Sequence, residues 1–279
     1  MRVALVGYGK MGAALLSQWR EAASQRFPGH RFFVIDPAVD LTESGSEEAV
    51  GEGAGGKPPR VTFLNEPPPT ARCAFDCLIV AVKPQMLDDV LPLYADRLAE
   101  GGMVASIAAG CSIARLRTLA GGAPTVRIMP NLPAAIGAGV SGLCADPSVS
   151  DAQRAMVETL MAAVGTVVWV SDEDQLDRLT AVAGSGPGYV FEMARSYVAA
   201  AQALGFDAAQ ARQLVLGTLA GTIAMAEQST LTLEELRTSV TSKNGTTAAG
   251  LEALNGEGAF DRLITATLDA AYARAVALR

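Results

Sequence analysis

The sequence predicts an α/β domain built on a doubly wound parallel sheet, followed by an all-α domain, with the boundary near residue 170. Three observations predict it. Short apolar runs rich in β-branched residues alternate with segments of helical spacing up to about residue 170. The strand texture then stops, and the first apolar run leads straight into a glycine-rich turn. Strand–helix alternation of this kind belongs to a parallel sheet with helices on both faces.

The elements follow in order. "RVALVG" is a continuous apolar run ending in glycine, the pattern of a strand buried on both faces. "MGAALLSQWREA" has helical spacing, with Met11, Leu15, Leu16 and Trp19 on one side, and "RFFVID" is the second strand. Residues 43–60 are rich in Gly, Ser, Glu and Pro and read as a flexible loop or weak helix. "FDCLIVAVKP", "MVASIAAG", "TVRIMP" and "TVVWV" complete the strands. Beyond Ser171 the chain is Ala- and Leu-rich with helical periodicity, broken by GSGPG, LGFD and SKNG, and contains no convincing strand. A weakly amphipathic helix such as 207–228 cannot be hidden within so small a domain, so burial against a second copy is expected.

The bulk numbers bound the function. Of 279 residues, half are apolar and 18% charged, enough for a large core. The net charge of −7 argues against a nucleic-acid or anionic-membrane partner, which would want a basic face. The four cysteines form no C-x-x-C pair and His30 is the only histidine, so no metal site is expected and the thiols read as reduced and buried. The N-terminal apolar run enters glycines instead of a cleavage site, and later apolar stretches are broken by Gly, Pro or charge. A cytoplasmic protein with no signal peptide and no membrane span is expected.

"VGYGKMG" supplies Gly7, Gly9 and Gly12, a G-x-G-x-x-G between a strand and a helix. Gly7 permits the tight turn, Gly9 lets a pyrophosphate approach the backbone, and Gly12 lets helix and strand pack closely. The pyrophosphate would sit at the helix N-terminus, where unpaired N–H groups and the dipole favour negative charge. The motif therefore predicts dinucleotide binding by a Rossmann-type domain, with Tyr8, Lys10 and Met11 in the same turn. Asp36 ends the second strand 24 residues beyond Gly12, near the spacing of a ribose-binding carboxylate. A carboxylate there favours the 2′-hydroxyl of NAD over the 2′-phosphate of NADP, and Pro37-Ala38-Val39-Asp40 offers nothing to hold a phosphate. Lys10 could still reach one, and Asp36 could instead simply start an Asp-Pro turn.

Proton donors are scarce. His30 lies in the loop before the second strand and reads as solvated, and the lysines are Lys10, Lys57, Lys83 and Lys243 only. A protonated imine accepts hydride without a strong enzyme acid, so this poverty permits an imine reductase. In "TSVTSKNGTTAAGLEAL", Thr241, Ser242, Thr246 and Thr247 surround Asn244-Gly245 and open a helix. Hydroxyls and free N–H groups at a helix start form a receptor for a small anion; the alternative is that the threonines only cap the helix.

Six stretches in order, "VGYGKMG", "VAVKPQ", "SIAAG", "RIMPNLPAAIGAG", "LTAVAGSGPGYVFE" and "VTSKNGTTAAGLEAL", resemble the pyrroline-5-carboxylate reductase family almost from end to end. The resemblance implies a Rossmann domain (residues 1–170) and a helical substrate-binding domain (171–279) that interleaves with a partner in a dimer or dimer-based assembly. It implies NADPH or NADH as reductant and a small cyclic imine carboxylate as substrate, reduced to proline. Met129, Pro130 and Asn131 would border the nicotinamide, as would Ala81, Val82, Lys83 and Pro84. Ser242, Gly245, Thr246 and Thr247 would hold the substrate carboxylate, with the catalytic Thr247 hydroxyl near the imine nitrogen. Gly184, Ser185 and Gly186 would set backbone geometry.

Two departures stand out. The family's usual turn is Ser-Pro-Gly-Gly-Thr-Thr, whereas here Lys243 and Asn244 replace Pro and Gly; Asn tolerates the left-handed conformation, and Lys243 reads as solvent-facing. Gly188 stands where Ala is commoner. The competing readings are a reductase of another cyclic imine, a dehydrogenase like the β-hydroxyacid group with Lys243 as its lysine, and a non-enzymatic NAD(H) sensor.

Overall fold

The computed structural model describes residues 1–39, 41, 48–49, 60–70 and 74–279. Most of the 43–60 stretch, with Asp40, Lys57 and Cys73, lies outside the described residues. Among these, the strands are β1 (Arg2–Val6), β2 (Arg31–Ile35), β3 (Glu48–Ala49), β4 (Arg60–Leu64), β5 (Phe75–Val80), β6 (Leu98–Ser106), β7 (Thr125–Met129), β8 (Gly139–Ala145) and β9 (Gly165–Trp169). The helices are α1 (Lys10–Glu21), α2 (Ala23–Arg26), α3 (Leu87–Val90), α4 (Ile113–Leu119), α5 (Asp151–Ala162), α6 (Glu173–Leu179), α7 (Gly186–Ala203), α8 (Ala208–Gln228), α9 (Leu233–Ser239), α10 (Thr246–Asn255) and α11 (Ala259–Ala277).

One sheet carries all the strands in the order β3-β4-β2-β1-β5-β6-β7-β8-β9. Pairing is parallel from β4 to β7, with Leu5 of β1 opposite Val34 on one side and Ile79 on the other. The chain leaves β1 for β2 and β4 on one side and returns to β5 on the other. The crevice at the carboxyl ends of β1 and β5 is therefore the topological switch point, where open α/β sheets bind ligands.

Val3 to Val6 are all buried, because β1 is covered on both faces. Val3, Leu5 and Val34 pack with Leu15, Leu16 and Trp19 of α1 and with Val157 and Leu160 of α5. Ala4, Val6 and Ile35 pack on the other face with Leu87, Leu91, Tyr94 and Leu116. Trp19 anchors its side: the ring stacks on Phe32 with centroids 5.5 Å apart, and Nε1–H donates to the Leu160 carbonyl at 2.9 Å.

Two five- to seven-residue strands depart from the sequence reading. β4 follows directly on the Gly/Pro-rich stretch and is short, and β8 holds two glycines that weaken any strand pattern. The β8 glycines mark close packing: a Cβ on Gly142 would lie 2.6 Å from Leu179, and one on Gly139 would lie 2.8 Å from Ala134. The sheet is also not wholly parallel, since β8 runs antiparallel to β7 and β3 antiparallel to β4. The edge strand β9 alternates in exposure, as a half-covered strand should.

Two compact units emerge, Met1–Ser185 with Ala271–Arg279, and Gly186–Ala270. In the first, the C-terminal residues are held by the Tyr272 hydroxyl donating to Asp174 at 2.5 Å and by Arg279 pairing with Asp177 at 2.8 Å. The second unit is helical, and its buried cluster is small: Ala201, Ala211 and Val215, with Val198 and Leu219 against them. Val190, Phe191, Tyr197, Leu214, Ile223 and Met225 of α7 and α8 remain exposed. Among the described residues no helix is long and apolar enough to cross a membrane.

Candidate functional site

The glycine turn is built by close contact. Gly7 follows β1 at φ 98° and its N–H donates to the Ile35 carbonyl at 2.9 Å. A Cβ on Gly7 would stand 2.8 Å from the Ala81 carbonyl carbon and oxygen, and one on Gly12 would stand 2.3 Å from the Gly7 oxygen. Turn, helix and the end of β5 are thus pressed together, and only glycine fits. Gly9 differs: it is the N-cap of α1, no side chain caps that helix, and a Cβ on it would meet nothing within 4 Å. The N–H groups of the first turn of α1 therefore open onto a surface that a pyrophosphate can approach. Lys10 is exposed, Met11 packs on the core, and Tyr8 lies edge-on to Phe63 at 5.8 Å.

Asp36 ends β2 half-buried. Its Oδ2 accepts the Tyr8 N–H at 2.6 Å and its Oδ1 accepts the Ala38 N–H at 2.8 Å. The carboxylate both ties down the glycine turn and starts a local Asp turn, and each oxygen keeps a further lone pair. At the end of β5, Ala81 donates to the Val6 carbonyl at 2.7 Å, Ala81, Val82 and Pro84 are half-buried, and exposed Lys83 precedes the 3₁₀ turn Pro84–Met86. At the end of β6, buried Ser106 accepts the Ala108 N–H at 3.2 Å. At the end of β7 come Met129, Pro130 and buried Asn131. Because β2, β1, β5, β6 and β7 are parallel, all these segments share one edge of the sheet.

Within the second unit, Gly245 N–H donates to the Ser242 carbonyl at 3.0 Å, and Asn244 takes φ 59°, the left-handed conformation that Asn tolerates. Gly245 is the N-cap of α10, without a side-chain cap. A Cβ on Gly245 would lie 2.2 Å from Ser242 Oγ, so the serine hydroxyl needs a glycine there. Ser242, Thr246 and Thr247 are exposed around the open N–H groups of α10. Thr241 is not part of this set: its hydroxyl turns back to the Arg237 carbonyl at 2.6 Å. Lys243 is exposed in the turn and lies on no helix.

His30 is half-buried instead of solvated, edge-on to Phe27 and stacked over Phe32; burial, the largest influence, lowers its pKa. Cys77, Cys111 and Cys144 are free, buried thiols. No group of His, Cys, Asp or Glu among the described residues could hold a metal ion. Sequence reasoning missed Gln18, a buried amide on α1 that donates to the Ala135 carbonyl at 3.4 Å and so braces the turn after Asn131. It also missed the pair of buried Arg127 with Glu173 at 2.5 Å, whose carboxylate accepts the Ile113 N–H as well. A polar residue on the apolar side of a helix, and an Arg within a buried strand, were the available signals.

A family model described as "Pyrroline-5-carboxylate reductase dimerisation" matches residues 173–278, and one described as "NADP oxidoreductase coenzyme F420-dependent" matches residues 2–110. The chain is 34% identical to the pyrroline-5-carboxylate reductase of Pseudomonas aeruginosa, across 99% of this chain and 96% of that protein. It is 33% identical to that of Haemophilus influenzae, across 98% and 95%. Among solved structures, a pyrroline-5-carboxylate reductase from Coxiella burnetii superposes with a TM-score of 0.85 at 28% identity, covering 99% of this chain and 97% of that one.

Proposed function

Since the chain belongs to the pyrroline-5-carboxylate reductase family, we propose that it reduces the imine carbon of 1-pyrroline-5-carboxylate to give proline. NAD(P)H, when bound, supplies the hydride. Gly7, Tyr8, Gly9, Lys10, Met11 and Gly12 cradle the pyrophosphate, and the open surface above Gly9 fits such a group. Asp36 faces the adenosine ribose. Ala81 to Pro84 and Met129 to Asn131 border the nicotinamide.

The observation that carries the substrate assignment is the start of α10, where no side chain caps the N–H groups and exposed Ser242, Thr246 and Thr247 surround them. A carboxylate is held well by several fixed donors at a helix N-terminus. In this reading Ser242, Gly245, Thr246 and Thr247 bind the carboxylate, and the Thr247 hydroxyl lies by the imine nitrogen. We take residues 1–170 as the cofactor domain, 171–279 as the substrate and dimerisation domain, and the enzyme as a cytoplasmic homodimer or dimer-based assembly. The exposed apolar residues of α7 and α8 support burial against a second copy.

The test is the loss of NADH or NADPH absorbance on adding pyrroline-5-carboxylate. Wild-type protein is expected to oxidise at least one of them rapidly. Thr247→Ala is expected to lose on the order of a hundredfold in kcat/KM, as removal of a proton-transfer or polarising group does, with cofactor affinity kept. Unchanged turnover in that variant refutes the substrate placement.

A further inference from the structure

We propose that the Asn131 side chain is a positioning residue for hydride transfer, fixing the Met129-Pro130 corner without touching cofactor or substrate through its own amide. The inference rests on the reductase reading above. The residue is only 7% exposed, and both ends of the amide are used within the first unit. Its Oδ1 accepts the Val140 N–H at 2.8 Å, and its Nδ2–H donates to the Ala183 carbonyl at 3.0 Å. Those two bonds join the end of β7 to the start of β8 and to a turn more than fifty residues away in sequence.

The Ala183 carbonyl needs this donor for a reason written in the sequence. Residues Thr180–Gly184 form a single π-helical turn, closed by Ser185 N–H on the Thr180 carbonyl at 2.9 Å. In a continuing α-helix the Ala183 carbonyl would accept the N–H four residues on. That residue is Pro187, which has none. Asn131 supplies the missing donor from outside the helix. Ala183 is half-buried, and a carbonyl partly withdrawn from water is disfavoured without a donor, so the amide fixes the β7 corner and the π turn to each other.

The corner is tight elsewhere too. The Asn131 carbonyl accepts the Ala134 N–H at 3.1 Å, beginning the turn that Gln18 braces. Met129 Cγ lies 3.6 Å from where a Cβ on Gly184 would stand, so the methionine packs against the same π turn. An amide is matched to both partners. An aspartate would turn a charged oxygen on the Ala183 carbonyl, and an aliphatic side chain would strand the Val140 N–H as well. Hydride transfer depends steeply on distance, and loosening this corner by a fraction of an ångström misplaces the nicotinamide while leaving the pyrophosphate held by the glycine turn.

The experiment measures kcat, the primary deuterium isotope effect on kcat with the 4-deuterated form of whichever of NADPH and NADH the wild type oxidises, and affinity for that cofactor by its fluorescence, in wild type, Asn131→Ala and Asn131→Asp. For Asn131→Ala we expect kcat to fall roughly a hundredfold with a larger isotope effect, and affinity for that cofactor to stay within about threefold, because the remote contacts persist. Asn131→Asp carries the test even where the alanine variant folds poorly: its protonated acid has a donor and an acceptor as the amide has, so its kcat relative to wild type should climb as pH falls. Unchanged kcat in Asn131→Ala, cofactor affinity lost in step with kcat, or a pH-independent defect in Asn131→Asp each overturn the inference. Wild-type protein that leaves both NADPH and NADH unoxidised overturns the reductase reading, and this inference with it.

Discussion

Asp36 illustrates how far one residue can be read. From the sequence, its charge and its place after β2 favoured a ribose diol over a 2′-phosphate, with a plain Asp-Pro turn as the alternative. The structure gives it the turn, through the Ala38 N–H, and a bond to the glycine loop at Tyr8 that sequence spacing could not reveal. An amide at this position can accept from one of those N–H groups but must turn its own NH₂ toward the other. Asp36→Asn is therefore expected to weaken NADH binding about tenfold, the usual effect of losing one partner of a charge-assisted bond. Removal of the charge should raise the NADPH-to-NADH affinity ratio at the same time. Fluorescence titration of both cofactors checks it: a flat ratio with unchanged NADH affinity would leave Asp36 only its local turn.

At the scale of elements, legibility followed burial. Of the six strands that were legible, β1, β2, β5, β6 and β7 are mostly apolar and mostly buried, whereas the edge strand β9 showed through its β-branched residues while only half covered. β8 was illegible because its glycines serve neighbours outside the strand, Ala134 in the turn just before it and Leu179 of α6. The antiparallel turn from β7 into β8 likewise depends on Asn131 reaching Val140, a tertiary contact with no local signature. The turn before α10 was legible in its hydroxyls and its Asn-Gly, since those are local chemistry, but not in which hydroxyls stay free, for Thr241 is spent on α9. Gly188 offers a clean test of local propensity. A Cβ there meets nothing within 4 Å and the residue lies inside α7. Gly188→Ala is expected to stabilise the protein by up to about 1 kcal/mol, the helix-propensity difference, read as a higher thermal midpoint. A lower midpoint would mean that this face of α7 is occupied in the assembled protein.

Across the whole molecule, stability should carry the mark of its buried thiols. Cys77 is fully buried beside Asp76, and burial, with that carboxylate's charge added, pushes its pKa from 9.0 to about 12. Burial likewise raises Cys144 to about 11. In the unfolded chain both thiols lose their protons near the ordinary value, whereas in the folded chain they keep them longer. Above that value the unfolded state binds fewer protons, so the unfolding free energy must fall as pH rises, by up to about 1.4 kcal/mol per unit for each such group. Tyr94, raised by burial from 10.0 to about 12, acts in the same direction. Urea denaturation between pH 8 and 11 measures the slope, at one protein concentration because an assembling chain unfolds in a concentration-dependent way. Cys77→Ala is expected to be less stable at pH 8, having lost buried packing. Between pH 9 and 11 it should lose about 2 kcal/mol less than the wild type. If the two curves run parallel instead, the Cys77 thiol ionises in the folded state almost as easily as in the unfolded chain, and the first unit must open around β5 at alkaline pH.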